Sequence, residues 1–178
     1  PCVKKGDLVK LGQVVAEAAG PRGIPVHASV SGEVLSVGPK QELFGKPSVC
    51  ICIRNDKQDN WVELKKLGDV ETAPADQIIN AVRDAGICGM GGACFPTHAK
   101  MMLPEGKSVD TIILNGSECE TFITADHRLM LEQPQRVVDG LRAAMRAMKV
   151  TKGIIAIEAN KMDAYEAVSK AAQGREGV

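Results

Sequence analysis

The 178 residues carry 22 Lys+Arg against 22 Asp+Glu, a formal net charge of zero, with 44% hydrophobic residues. That length and apolar content suit one full domain with a small companion. The balanced charge excludes a general attraction to nucleic acid or anionic lipid. Apolar runs such as "TIIL" (111–114) and "GIIAI" (153–157) are too short to span a bilayer and no signal peptide opens the chain, so a cytoplasmic protein is expected. The start at Pro1 and the polar run-out "SKAAQGREGV" read as an excised piece, truncated at both ends. Cysteines at 2, 50, 52, 88, 94 and 119 lack the paired spacing of a metal site, so no metal is expected and the thiols should be reduced.

In chain order, residues 1–68 read as a small β module: "HASVSGEVLSV" (27–37) and "SVCICIRN" (48–55) alternate, separated by Gly and Pro turns. Residues 6–34 resemble the half-barrel of biotinyl and lipoyl carrier domains, in "GDLVKLGQ" and "HASVSGEV". A carrier needs a lysine at its hairpin tip to form the amide to its prosthetic group. None occurs between Lys10 and Lys40, and the tip carries Arg22, so a structural module is expected instead. His27 reads as a packed side chain, and Cys50 and Cys52, on one face of a strand, read as small buried hydrophobes.

From residue 69 onward the period changes. "PADQIINAVRDAG" (74–86) predicts a helix with Pro74 at its first position, Ile78, Ile79 and Val82 on one stripe and Gly86 as the stop. "VDTIILNG" (109–116) reads as a buried strand, 124–148 as two helices broken at Pro134, "KGIIAIEAN" (152–160) as a second strand and "KMDAYEAVSKAAQ" (161–173) as a last helix. Alternating strands and helices predict an α/β domain with a parallel sheet. Ligands in such sheets sit beyond the carboxyl ends of the strands, here "NGSECE" (115–120) and "EANK" (158–161).

Between the two regions lies "GICGMGGACFPTHAK" (86–100), four glycines and two cysteines in fifteen positions. "GMGGAC" fails the dinucleotide fingerprint, because its last position is Cys94 and a helix, not a strand, precedes it. "MMLPEGKS" has Met101 where a P-loop needs its first glycine. What remains is a glycine turn followed by a short helix opening at Pro96 or Thr97. Bare backbone there suits a flat ring or a phosphate, Lys100 can pair with the phosphate and Phe95 can stack. A purely structural turn fits the spacing equally well.

"AGICGMGGACFPTHAK" (85–100) resembles the "G.GGAGFPT..K" flavin loop of the NADH-oxidising subunit of respiratory complex I and of the C subunit of the Rnf electron-transport complex. "ILNGSECETFITADHRLMLE" (113–132) is similar to the Rnf-type "NGAECEPY.T.D.RLM", and "IAIEANKMDAYEAV" (155–168) to its "IGIEDNKPEAI". The preceding β module also resembles the Rnf type. The resemblance implies a parallel-sheet Rossmann-like FMN-binding domain (69–178) preceded by a biotinyl/lipoyl-like barrel-sandwich module (1–68). It implies FMN accepting hydride from NADH, with iron-sulfur clusters only in a missing carboxyl-terminal part and electrons passing to other subunits. Association with the cytoplasmic membrane face would then be peripheral, through those partners.

Carried over by position, the resemblance implies that Gly89, Gly91 and Gly92 line the FMN and Lys100 contacts its phosphate. Asn115 and Glu118 would hydrogen-bond the flavin or its ribityl chain. Phe95 would stack on the nicotinamide nucleotide, Glu120 would meet its ribose, and Glu158 with Asn160 would close the site. No catalytic acid or base is implied. The chain departs from the family pattern at Cys94 (usually Gly), Thr121 (usually Pro) and Ala125 (often Cys). Cys94 reads either as a redox thiol beside the ring or as a small side chain tolerated in the turn. These departures keep a second reading open, a non-catalytic docking subunit that retains the fold without flavin.

Overall fold

The computed structural model describes residues 1–41 and 45–178. The chain divides into two compact units, residues 1–66 with 80–100 and residues 67–79 with 101–178.

The first unit is built on β1 (Leu8–Val9), β2 (Val14–Ala16), β3 (Val26–His27), β4 (Gly32–Lys40) and β5 (Ser48–Asn55). These form one antiparallel sheet in the order β1-β4-β5 and a second, antiparallel pair β2-β3. Val9, Val15, Ala28 and Val34 make the core, with Val3, Val37, Ile51 and Ile53 packed on it. Gly32 is obligatory at the start of β4, since a Cβ there would lie 1.9 Å from the Arg54 carbonyl oxygen and its φ is +146°.

Cys50 and Cys52 correct the expectation of burial. Both are half-buried, on the strand face opposite Ile51 and Ile53. The Lys40 ammonium, then the Ser36 hydroxyl, hold the Cys52 thiol below its ordinary range, and the thiol in turn raises Lys40. All six cysteines are free.

Helix α1 (Ala75–Asp84) follows Pro74 and buries Ile78, and α2 (Thr97–Met101) opens where the sequence places it. The second unit then runs β6 (Thr111–Asn115), α3 (Ala125–Glu132), α4 (Pro134–Met148), β7 (Lys152–Ala156) and α5 (Met162–Ala172). Pro134 stands at the first turn of α4, where its missing N–H costs nothing, so the helical pattern breaks into two there. β6 and β7 pair in parallel, Ile113 opposite Ile154. One face of the pair, with Leu114 and Ile155, packs on the core of Met130, Val137, Val138, Ala164 and Val168. Gly153 lets β7 approach α4 closely, since a Cβ there would lie 2.6 Å from Met145 Sδ and 2.9 Å from Leu141 Cδ2. Among the described residues no helix is long and apolar enough to cross a membrane.

Candidate functional site

The glycine loop of the first unit is a narrow hairpin closed by its own backbone. Gly89 N–H donates to the Phe95 carbonyl at 2.8 Å, Thr97 N–H donates to that of Ile87 at 3.0 Å, and Cys88 bridges Pro96 antiparallel. Its exposed tip runs from Met90 to Phe95, with Phe95 42% exposed. Gly92 has φ +95°, and a Cβ there would meet nothing within 4 Å among the described residues, so bare backbone faces open space at the tip. Gly91 is equally open.

Lys100, one turn beyond Pro96, brings its ammonium back over Gly89. A Cβ at Gly89 would lie 2.7 Å from Lys100 Nζ and would fill that cradle. A flat, phosphorylated cofactor needs backbone without side chains and a cation at the edge, and Gly89, Gly92 and Lys100 supply both. Cys94 sits at φ +49°, in the left-handed region that favours glycine.

In the second unit two strand-end carboxylates, Glu118 and Glu158, converge on one lysine that the sequence pattern did not single out. Lys161 Nζ donates to Glu118 Oε2 at 3.3 Å and lies 3.5 Å from Glu158 Oε2, so it brings the two predicted acidic residues together. The Lys161 and Glu118 side chains are only 11% and 4% exposed. Glu118 also accepts from the N–H groups of Asp126 at 2.9 Å and His127 at 3.2 Å. A carboxylate eight residues upstream therefore caps α3, whose own Thr124 makes no side-chain cap.

Burial pushes the Glu118 carboxyl up, and the two N–H donors with Lys161 outweigh it, holding it below the usual carboxylate range. Asp163 is held low chiefly by His127, whose Nε2 lies 2.9 Å away, and by the Ala164 N–H. Asn115 Oδ1 accepts from Ser117 N–H at 3.1 Å. Glu120 and Asn160 are exposed.

Phe122 also escaped the sequence pattern. It is 99% exposed with φ +65°, in the turn where Ile123 N–H donates to the Glu120 carbonyl. A large apolar side chain fully in water on a strained turn is the only signal it offers. Lys161 had a legible one, its place three residues after Glu158 at the end of a predicted strand.

Two family models match the chain. The one described as the Nuo51 FMN-binding domain matches residues 82–178, and the one described as the RnfC barrel sandwich hybrid domain matches residues 1–58. The chain belongs to the RnfC family. Over 172 residues it is 48% identical to the C subunit of the Na(+)-translocating ferredoxin:NAD(+) oxidoreductase complex of Acetobacterium woodii, covering 96% of this chain and 39% of that protein. Over 176 residues it is 42% identical to the C subunit of the proton-translocating ferredoxin:NAD(+) oxidoreductase complex of Clostridium ljungdahlii, covering 98% and 38%. To the C subunit of the ion-translocating oxidoreductase complex of Rhodobacter capsulatus it is 41% identical over 173 residues, covering 96% and 33%. The chain thus spans at most 39% of the length of these RnfC-type relatives. The Nuo51 match contains every residue singled out for the site, and residues 59–81 fall between the two matches.

Proposed function

We propose that this chain is the flavin module of an electron-transfer subunit, holding FMN that accepts hydride from NADH and passes electrons to partner subunits. The observation that carries the reading is the Gly89–Lys100 cradle, lying within the FMN-binding domain match. FMN supplies the conversion of a two-electron hydride into single electrons, and the protein supplies position and charge. Gly89, Gly91 and Gly92 admit the cofactor to the backbone, and Lys100 holds its phosphate by a charge-assisted hydrogen bond.

Asn115 and the strand-end carboxylates take the sugar and ribityl hydroxyls as acceptors, not as general bases. Glu118 is already held by three internal donors, so its part is to fix the strand end as well as to accept. Phe95 stacks on the nicotinamide nucleotide, Glu120 meets its ribose, and Glu158 with Asn160 borders the site. β6 and β7 belong to a Rossmann-like sheet in a domain spanning 69–178, and residues 1–68 form the barrel-sandwich module. The names of the relatives support partners in an ion-translocating complex. In this reading iron-sulfur centres among those partners receive the electrons, and the chain lies on the cytoplasmic face of the membrane through them.

Anaerobic titration of FMN into the chain, read by flavin fluorescence, tests the reading. The expected result is saturable one-to-one quenching, weakened about tenfold or more in Lys100→Ala, the worth of one hydrogen bond to a charged group. Equal binding by the wild type and Lys100→Ala overturns the assignment of Lys100. No binding by either favours the docking subunit, for which Cys94 in a glycine's conformation speaks.

A further inference from the structure

The module that resembles a lysine carrier has no lysine at its hairpin tip, and the structure gives that hairpin another occupation. Between β2 and β3 the chain turns at Gly20, where Gly23 N–H donates to the Gly20 carbonyl at 3.2 Å. This hairpin meets the glycine loop of the same unit at both of the loop's ends. At the far end, His98 of α2 is 1% exposed and its Nε2 lies 3.1 Å from the Pro21 carbonyl oxygen. A carbonyl only accepts, so Nε2 carries the proton and donates.

At the near end, Gly86 has φ +69°, and a Cβ there would lie 2.9 Å from the Pro25 carbonyl oxygen and 3.1 Å from the His27 ring. Backbone therefore lies directly on the hairpin where the loop begins. The two contacts sit four residues apart on the hairpin and hold loop positions twelve residues apart. Among the described residues the buried Nδ1 of His98 has no hydrogen-bond partner. An isolated buried acceptor costs free energy, and it is tolerated only where the other nitrogen's bond and the surrounding packing outweigh it. A leucine would fill the space without that cost, so the histidine at this position is there for its Nε2 bond to the hairpin.

We infer that the hairpin of residues 17–25 is the seat that holds the cofactor loop in its binding shape, with His98 as the positioning residue. Its functional half rests on the FMN reading above. With its two ends seated, the loop keeps the Gly89–Phe95 and Thr97–Ile87 hydrogen bonds that shape the glycine cradle before any ligand arrives. Binding then costs less ordering entropy than it would in a free glycine loop.

The test compares wild type, His98→Leu and His98→Gln in the full chain, since glutamine keeps a side-chain N–H donor for Pro21. Two readouts are taken, amide hydrogen exchange without ligand and FMN titration. In His98→Leu the Gly89 and Thr97 amides should exchange about tenfold faster and FMN should bind about tenfold more weakly, the effect of one lost buried hydrogen bond. His98→Gln should return both toward wild type, and the amides of β4 and β5, in the same unit, should stay protected in all three. Unchanged Gly89 and Thr97 exchange in His98→Leu overturns the seat, whatever FMN does. Faster exchange with unchanged FMN affinity overturns its functional half.

A wild type that does not bind FMN defeats the flavin reading while the exchange rates still decide the seat. If His98→Leu loses β4 and β5 protection and so does not fold its own unit, Gly86→Ala replaces it at the other end of the loop under the same criteria.

Discussion

At the scale of single residues, backbone conformation and charge pairing make separate predictions. Cys94 pays for its side chain with a left-handed φ of +49° in a loop whose other two positive φ values belong to Gly86 and Gly92. Cys94→Gly relieves a conformation that costs an L-residue about 1–2 kcal/mol, part of which returns as unfolded-chain entropy. A gain of about 0.5–1 kcal/mol in urea unfolding is expected, and a loss would mean that the thiol contributes a contact outweighing the strain.

Lys161 governs a second residue-scale effect. Glu118 has a lowered folded pKa, so its contribution to stability is fully present above the ordinary carboxylate value and is lost as pH falls through the lower, folded value. Lys161→Met removes the ammonium and leaves the two N–H donors. The carboxyl midpoint of Glu118, followed by carbon-13 chemical shift, should move upward in the variant, and the acid limb of stability should begin at higher pH. An unmoved midpoint would assign the whole effect to the α3 cap.

Among elements, the helices follow their apolar stripes. Val137, Val138, Leu141 and Met145 recur at helical spacing along α4 and are all buried, and the structure lays that stripe against β7 and α5. Leu141 is 1% exposed. Leu141→Ala should cost about 3 kcal/mol in urea unfolding through lost burial and a residual cavity. A cost under about 1 kcal/mol would show that Met145, beside the same glycine of β7, moves into the space. Pro74, Pro134 and the pair Pro96 or Thr97 were legible as helix starts because each acts through its own backbone or first turn. The cap of α3 was not legible, because Thr124, just before the helix, makes no side-chain cap and the carboxylate that does, Glu118, lies six residues before it.

For the whole molecule, the two cores share no residue, one built on β-module valines and the other on α4, α5 and the parallel pair. The change of period near residue 69 marks where the second kind of pattern begins. Residues 80–100 nevertheless group with residues 1–66, and nothing in their local pattern announces it. Their attachment rests on contacts such as His98 to Pro21, which are 77 positions apart.

Local rules acting over a few residues were enough to write the helices, the two parallel strands, the β character of the first module and the bare-backbone loop ending in Lys100 from the sequence alone. Propensity, periodicity and turn chemistry are properties of neighbouring residues. The ordered motifs named the family for the same reason, since each is a short contiguous run. Only the tertiary structure decided that Lys161 joins Glu118 to Glu158, that Cys50 and Cys52 stay half-buried, and that the carrier-like hairpin touches the glycine loop. These depend on which surfaces meet after the chain has folded back over tens of residues, and no local preference encodes such a meeting.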